Sequence, residues 1–167
     1  MSGKECNYMF HVEIIDIVRQ EIYDLEDISI LDLGCGDSHV LASSIDKTKN
    51  FKYLGIDNSK HAIRFSKKNL RSNKGVARHI NGAFFVEIEK LSSGFDVIIS
   101  GYSLHYLKRK KNAFFSFVSN LLSDRGIFIF YGTEVNTGES QSDYKKEHIV
   151  SYAKTGSSLI TMKWLLP

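Results

Sequence analysis

Short apolar runs, each ended by Gly, Asp or Ser, alternate along this chain with longer stretches in which apolar residues recur at helical spacing. Strands that are apolar on both faces and are separated by helices are typical of a parallel sheet covered on both sides. The pattern therefore predicts an α/β fold with a doubly wound, mainly parallel sheet and helices on both faces. The predicted strands are Ile28 to Leu33, Phe51 to Ile56, Val76 to Ile80, Phe95 to Ser100 and Ile127 to Tyr131.

Four stretches place their apolar residues on one side of a helix. These predicted helices are Tyr8 to Tyr23, His39 to Ile45, Lys60 to Ser72 and Asn112 to Leu122. In the third helix, Ile63, Ser66 and Leu70 are expected to face inward and the cations outward. The rest of the pattern predicts a turn at Asp124 to Gly126, a helix at Asp143 to Ala153 and a strand at Ile160 to Leu166.

The chain has 167 residues, of which 43% are hydrophobic, which suggests a single domain over residues 1–167 with its own core. No run of about 18 apolar residues is present, so no membrane span is predicted. The start carries no signal or transit character, and Cys6 and Cys35 are too few for a disulfide framework. We therefore expect a cytoplasmic protein. The formal charge of +3 permits an anionic partner, but nucleic-acid binders usually concentrate more positive charge on one face.

Glycines and an acid follow the first two predicted strands, at the edge where a doubly wound sheet binds its ligands. Gly34 and Gly36 allow a sharp turn and a close approach of backbone to ligand, and the next helix presents free N–H groups. Asp57 ends the second strand, 21 positions beyond Gly36, where a carboxylate can accept both hydroxyls of a ribose. The combination predicts a nucleoside-containing cofactor. His39 stands where the dinucleotide fingerprint needs glycine or alanine, which counts against NAD or FAD.

The segment from Asp32 to Ser38, D-x-G-x-G-x-S, resembles motif I of the class I S-adenosylmethionine-dependent methyltransferases, whose usual form is (D/E)-x-G-x-G-x-G. Ser38 replaces the last glycine by another small residue. The resemblance extends from Ile28 to Thr133, where YLGIDNS is similar to motif II and FDVIISGYSLHYL to motif IV. It implies S-adenosylmethionine as the cofactor and S-adenosylhomocysteine as the product.

The resemblance also implies a set of cofactor contacts along the ends of the strands. Asp57 would bind the ribose, and Asn58 would lie beside the adenine. Many relatives carry Asp after the glycine that follows the third strand, whereas this chain has Ala83, so a backbone amide near Ala83 or Phe84 could replace that contact. Cys35 is interpreted as a small residue that fits the turn. The implied cofactor-binding residues are Asp32, Gly34, Cys35, Gly36, Asp57, Asn58, Gly82, Ala83 and Ser100.

The loop after the fourth strand is expected to face the methyl group and its acceptor. Transfer from a sulfonium is an in-line displacement that requires an aligned nucleophile, and a weakly acidic nucleophile also needs a base. His105 is the candidate base, and Tyr102 is a candidate positioning or hydrogen-bonding group. The alternative for His105 is a structural role, in which it packs against or caps the following helix.

The single proline, Pro167, is the last residue, which excludes chemistries that need an internal proline. Ser100-Gly101-Tyr102-Ser103 stands where enzymes that methylate adenine amines in DNA commonly carry (N/D/S)-P-P-(Y/F/W). Neither cysteine follows a proline, as cytosine C5 methylation requires. The same four residues supply no metal-binding acid, and the six histidines show no ligand spacing, so no metal is expected.

The favoured function is metal-independent methyl transfer to an O or N atom of a small molecule. Two basic stretches, Lys108 to Lys111 and the outer face of the Lys60 helix, motivate RNA or protein as an alternative acceptor, although solvated helix faces explain both. A non-catalytic cofactor-binding module is the third hypothesis. This hypothesis arises because the sheet of such enzymes usually ends in an antiparallel pair of strands, and we expect this chain to be too short to complete that pair.

Overall fold

The computed structural model describes residues 11–103, 111–134, 146–155 and 158–164. Within these ranges none of the helices is long and apolar enough to cross a membrane. The helices are α1 (His11–Ile22), α2 (His39–Ser44), α3 (Lys60–Asn69), α4 (Phe84–Glu87) and α5 (Lys111–Leu121). The strands are β1 (Ile28–Leu33), β2 (Phe51–Asp57), β3 (Val76–Asn81), β4 (Phe95–Gly101), β5 (Leu122–Glu134), β6 (Lys146–Thr155) and β7 (Ser158–Trp164).

The seven strands form one sheet in the order β3-β2-β1-β4-β5-β6-β7. The first five strands run parallel, and β6 and β7 pair antiparallel. The direction in which strands are added reverses between β1 and β4, and a doubly wound sheet binds ligands at such a switch point. The predicted fold class is confirmed. The carboxyl ends of β1 to β4 bring the predicted cofactor residues to one edge of the sheet.

Both faces of the sheet are buried. Successive residues of a strand point to opposite faces, so Ile30 joins one apolar cluster and Leu31 the other. The α1 helix covers the first face with Ile14 and Val18, and α5 covers the second with Phe114. Each buried side chain of this size contributes about 1.5–3 kcal/mol, which explains why the strands are apolar on both sides.

The α3 helix follows the pattern read from the sequence. Ser59 caps its start, since the hydroxyl accepts a hydrogen bond from the N–H of Ala62 over 3.2 Å. Ile63, Ser66 and Leu70 are buried, as predicted. Ser66 is a polar residue with no exposed surface, so its hydroxyl has to find partners inside the protein.

The segment after β5 differs from the prediction. The helix predicted at Asp143 to Ala153 is wrong, because β6 runs antiparallel to β5 from Ile127↔Ala153 to Glu134↔Lys146. The free edge of β5 offers backbone N–H and C=O groups, and pairing with that edge overrides local helical spacing. A strand is present where Ile160 to Leu166 was predicted, as β7. We expected the chain to be too short for the final antiparallel pair of strands. That expectation is wrong, because β6 and β7 form this pair.

The turn predicted at Asp124 to Gly126 lies inside β5 as an irregularity of the strand. The register with β4 moves there from Phe95↔Leu122 to Val97↔Ile127. A Cβ atom on Gly126 would lie 2.8 Å from the carbonyl oxygen of Phe95, so the absence of a side chain permits the close approach of the two strands.

Candidate cofactor and active site

The turn after β1 depends on two glycines with left-handed backbone. Gly34 has φ 72° and Gly36 has φ 53°. A Cβ atom on Gly34 would lie 2.7 Å from Cβ of Ser103, so the turn packs directly against the end of the β4 segment. The N–H groups of Gly34 and Cys35 both donate to the carbonyl of Ile56, at 2.9 and 3.0 Å. The turn is therefore fastened to the end of β2.

The carboxylate of Asp57 holds two loops together at the end of β2. Its Oδ2 accepts a hydrogen bond from the N–H of Gly36 over 2.9 Å, and its Oδ1 accepts one from the N–H of Ser59 over 2.7 Å. The side chain is half-buried, and the neighbouring Asn58 is exposed. A carboxylate oxygen has two lone pairs, so each keeps one acceptor position after these bonds. Asp57 is thus rigidly placed and still able to accept hydroxyl protons.

The end of β3 lies beside Asp57. The Gly82 N–H and the Asn81 side-chain amide both donate to the backbone carbonyl of Asp57, each over 3.0 Å. Ala83 follows as the residue that precedes α4, and both it and Gly82 are half-buried. The third-strand residues predicted to contact the cofactor therefore share one edge with Asp57, and the position of the relatives' Asp is filled by the short side chain of Ala83.

Two buried serines support the glycine turn from the β4 side. The hydroxyl oxygens of Ser100 and Ser103 lie 3.3 and 3.0 Å from the carbonyl oxygen of Leu33 and 2.5 Å from each other, so one hydroxyl donates to the carbonyl and the other to its neighbour. Ser100 has no exposed surface. The side chain of Ser100 therefore holds the turn in place, and its contact with the cofactor stays a prediction.

Asp32 and Cys35 lie within the protein behind the turn. The exposed fraction of Asp32 is only 5%, and the hydroxyl of Tyr53 donates to its Oδ2 over 3.1 Å. The pKa of Asp32 is raised to about 7, chiefly by burial; the hydrogen bond from Tyr53 opposes this shift, and the charges of Asp57 and Asp37 add to it. Burial also raises the pKa of the Cys35 thiol, which keeps it protonated. A protonated, buried thiol agrees with the interpretation of Cys35 as a small residue that fits the turn.

The candidate catalytic residues follow β4. Tyr102 has a left-handed backbone, with φ 50°, which costs a residue other than glycine about 1–3 kcal/mol. Its N–H donates to the carbonyl of Tyr131 over 2.8 Å, and the two rings meet edge to face with centroids 5.5 Å apart. Strained backbone of this kind is concentrated at functional sites. His105 lies outside the described residues.

Four polar residues behind the turn form hydrogen bonds that were not predicted from the sequence. His79, Ser66, Ser38 and Tyr53 are hydrogen-bonded in that order, and the series ends on Asp32. A glycine inside a strand marks a close approach of another group, and Gly55 in β2 was such a signal. The hydrogen bonds join residues of β1, β2, β3 and α3 and the residue that precedes α2, so no local sequence pattern contains them.

The sequence profile described as "Methyltransferase domain" matches residues 31–128, more than half of the chain. The chain belongs to this methyltransferase domain family. The resemblance predicted from the glycine motif is thereby confirmed, and the cofactor of the family is S-adenosylmethionine. The matched range of the methyltransferase domain begins in β1 and ends in β5, and it includes every predicted cofactor residue from Asp32 to Ser100.

Two curated relatives and one solved structure illustrate the similarity. The carboxy-S-adenosyl-L-methionine synthase of Nautilia profundicola is 28% identical over 116 residues, which are 69% of this chain and 47% of the relative. The juvenile hormone acid O-methyltransferase of Bombyx mori is 28% identical over 109 residues, 62% of this chain and 38% of the relative. This methyltransferase domain thus spans less than half the length of either curated relative.

The solved structure is an S-adenosylmethionine-dependent methyltransferase from Clostridium acetobutylicum. It superposes with a TM-score of 0.58 at 19% identity and covers 91% of this chain and 71% of that chain. At that identity the likeness shows the fold alone, and it agrees with the doubly wound sheet described above.

Proposed function

We propose that this methyltransferase domain binds S-adenosylmethionine at the carboxyl edge of β1 to β4 and transfers its methyl group to an O or N atom of a small molecule, without a metal. The observation that carries the proposal is the placement of Asp57. Backbone N–H groups of Gly36 and Ser59 hold its two carboxylate oxygens, and each oxygen keeps a lone pair directed to no described partner. Two neighbouring hydroxyls of a ribose match such an acceptor.

The glycine turn supports a ligand beside that carboxylate. A Cβ atom on Gly36 would meet no described atom within 4 Å, so the turn has open space next to Asp57. In contrast, Gly34 is packed against Ser103, and this contact keeps the turn in one conformation. A turn that is fixed on one side and open on the other lets the backbone approach a ligand closely.

When bound, the cofactor supplies a methyl carbon made electrophilic by a sulfonium. The residues of the chain have to hold the acceptor in line and take up its proton. We propose that His105 takes up the proton of the acceptor and that Tyr102 positions the acceptor. The strained backbone and ring contact of Tyr102 support this role, because both hold this residue in one position at the end of β4.

The small-molecule acceptor is supported by one of the curated relatives. The Bombyx mori relative is, by its name, an O-methyltransferase that acts on an acid. The proposed reaction uses no metal, and within the described part of the chain no group of three or more His, Cys, Asp or Glu is placed to bind a metal ion. The residues from Ser100 to Ser103 offer hydroxyls and no carboxylate.

A cytoplasmic location is part of the proposal. Cys35 is a free, buried thiol within the described residues. Thiols stay reduced in the cytosol, whereas cysteines of secreted proteins are usually paired. The free thiol is consistent with a reducing compartment.

A polymer acceptor is the competing function. The outer face of α3 carries exposed cations at Lys60, Arg64, Lys67 and Lys68, and the exposed Arg71 follows the end of the helix. Exposed cations on one amphipathic helix are also what an ordinary solvated face contains. Binding of RNA that falls steeply as salt is raised would favour the polymer.

The experiment combines binding with transfer. Calorimetry with S-adenosylmethionine tests the cofactor site, and S-adenosylmethionine labelled in its methyl group is then supplied with carboxylic acids, phenols, amines, RNA and a protein mixture. We expect cofactor binding and label on a small acid, phenol or amine. Label on RNA or protein alone would overturn the small-molecule acceptor. Binding without transfer to any acceptor would favour the module, and no binding would refute the proposal.

A further inference from the structure

Three residues stand in one row across the first three strands. Asp32 of β1 is paired in register with Gly55 of β2, and Gly55 is paired with His79 of β3. Gly55 has no side chain, and the phenol of Tyr53 lies over it, so that a Cβ atom on Gly55 would be 2.5 Å from the Tyr53 oxygen. The Tyr53 hydroxyl therefore occupies the gap between the carboxyl and the imidazole.

A continuous series of hydrogen bonds connects the two ends of this row. The Tyr53 oxygen is 3.1 Å from Oδ2 of Asp32 and 2.7 Å from Oγ of Ser38. Ser38 Oγ is 2.7 Å from Oγ of Ser66, which is 2.7 Å from Nε2 of His79. The first four groups have exposed fractions of 5% or less, so bulk water does not interrupt the series. Nδ1 of His79 is buried and has no partner among the described residues.

Ser38 Oγ also lies 3.4 Å from the carbonyl oxygen of Cys35, which is longer than the usual range of about 2.5–3.0 Å for an O–H···O bond, so its proton is used in one of the two 2.7 Å bonds of the series. The number of protons on each group then limits the series to two arrangements. A hydroxyl carries one proton, so it donates to one neighbour in the series and accepts from the other. If Asp32 is ionised, Tyr53 donates to it, and every bond points the same way, back to a proton on Nε2 of His79. If Asp32 carries a proton and donates it to Tyr53, every bond reverses, and Nε2 of His79 becomes the acceptor. In the second arrangement the proton of the neutral imidazole is on Nδ1. Passing from the second arrangement to the first releases one proton to solvent: the proton on Nδ1 leaves the imidazole, and the proton of Asp32 is passed along the three hydroxyls to Nε2.

We propose that Ser38, Tyr53 and Ser66 form a proton relay through which His79 acts as a positioning residue for Asp32, so that the charge behind the glycine turn and the imidazole tautomer change together. The proposal rests on the proposed function where it concerns the cofactor: S-adenosylmethionine carries a net positive charge, and its binding at this turn stabilises the arrangement in which Asp32 is ionised. The relay itself is a property of the protein without ligand.

The charges around the two ends make the exchange accessible near neutral pH. Asp32 is faced by Asp37 after the turn and Asp57 at the end of β2, and it is close to Tyr53, Cys35 and Tyr131. Burial and the two acids raise its pKa to about 7. His79 is faced by Lys67 of α3 and by the Tyr53 ring, and burial together with Lys67 lowers its pKa. Asp32 and His79 are therefore both neutral over the same range of pH. The second arrangement, in which Asp32 carries a proton and Nε2 of His79 accepts, requires this.

The test is nitrogen NMR of the free protein labelled at histidine, because protonated and bare ring nitrogens have well-separated shifts. We expect the proton of His79 to move from Nδ1 to Nε2 as pH rises from about one unit below to about one unit above 7. Asp32→Asn donates permanently to Tyr53 and should keep the proton on Nδ1 throughout. Tyr53→Phe breaks the series and should abolish the change. His61, which is exposed and bonded to Arg64, is the internal control and should not respond to either substitution.

The outcomes separate the relay from the cofactor proposal. A tautomer of His79 that is the same in the wild type, Asp32→Asn and Tyr53→Phe at every pH would overturn the relay. Adding S-adenosylmethionine just below pH 7 should move the proton to Nε2. If calorimetry shows binding and the proton does not move, the coupling to the cofactor is wrong. If calorimetry shows no binding, the proposed function fails, while the titration of the free protein still decides the relay.

Discussion

The Oδ2 atom of Asp57 accepts a hydrogen bond from the N–H of Gly36 over 2.9 Å, across 21 residues of sequence. This bond ties the turn after β1 to the carboxyl end of β2. It orients the carboxylate before any ligand arrives, so little ordering of the site is left to be done on binding.

Replacing Asp57 by alanine should weaken S-adenosylmethionine binding by about 100-fold. Hydrogen bonds to a charged group contribute about 1.5–3 kcal/mol each, and the substitution removes both the ribose acceptor and the anchor of Gly36. Calorimetry measures the loss. Asp96→Ala is the matched control, because Asp96 accepts from the Ser29 N–H and the Ser123 hydroxyl at the opposite edge of the sheet. Equal losses in the two variants would contradict the ribose assignment.

Alanine at Gly34 and alanine at Gly36 should have different effects. Both residues have a positive φ, which costs an L-residue about 1–2 kcal/mol. Only Gly34 also meets Ser103, at 2.7 Å, which adds an overpacking cost of about 1–3 kcal/mol. Gly34→Ala should therefore lower the free energy of unfolding more, and Gly36→Ala should retain more stability and lose cofactor affinity. Urea unfolding and calorimetry measure the two effects, and the opposite ranking in stability would refute this reading of the turn.

Asp32 should make the protein less stable as pH rises. Its pKa is about 7 in the folded protein and 3.8 as the ordinary value, so between these values the folded state binds more protons than the unfolded state. The stability from this group is complete below about pH 4 and is lost as pH rises through 7, with a total of about 4 kcal/mol. Asp32→Asn should remove this decline.

Urea unfolding at about pH 5 and pH 8 measures the decline in the wild type and in Asp32→Asn. Asp46→Asn is the control, because hydrogen bonds from Thr48 lower the pKa of that fully exposed carboxyl. Its contribution has the opposite sign, since it would be lost as pH falls. A wild type and an Asp32→Asn variant that lose stability in parallel would show that Asp32 is not the group responsible.

Substitutions of the two candidate catalytic residues should lower turnover without weakening cofactor binding. His105→Ala should lower kcat by about 100-fold or more if His105 is the base, with unchanged affinity for S-adenosylmethionine. Tyr102→Phe keeps the ring contact with Tyr131 and removes only the hydroxyl, so it should lower kcat and leave stability close to that of the wild type. Near-normal turnover in His105→Ala would assign that histidine to packing or capping.

Gly55→Ala should destabilise the protein, although Gly55 is not among the predicted cofactor-binding residues. A Cβ atom there would lie 2.5 Å from the Tyr53 oxygen, so the phenol has to move away from Asp32. We expect a loss of stability of about 1–3 kcal/mol from overpacking. The absorbance of the tyrosines and the unfolding midpoint report the change. The control is Gly132→Ala, where no described atom lies within 4 Å of the added Cβ. A Gly55→Ala protein as stable as this control would contradict the described position of Tyr53.

The sequence by itself determined the parallel part of the sheet and the cofactor edge. The apolar runs at β1 and β4 are buried on both faces, and the glycines and Asp57 follow strands that are neighbours in any doubly wound sheet. These features are local in sequence, because a strand, its turn and the next helix are consecutive. The family could therefore be inferred from Asp32 to Ser38 together with Asp57.

The tertiary structure decided what depends on pairing between distant segments. The β6 strand has a sequence compatible with a helix, and only the free edge of β5 makes it a strand. Likewise, the sequence predicts that Ser66 faces inward from α3, but its hydrogen-bond partners, Ser38 and His79, lie outside that helix. Hydrogen-bond partners of buried polar groups are chosen by packing in three dimensions, so the relay behind the glycine turn could be found only once β1, β2 and β3 were in register.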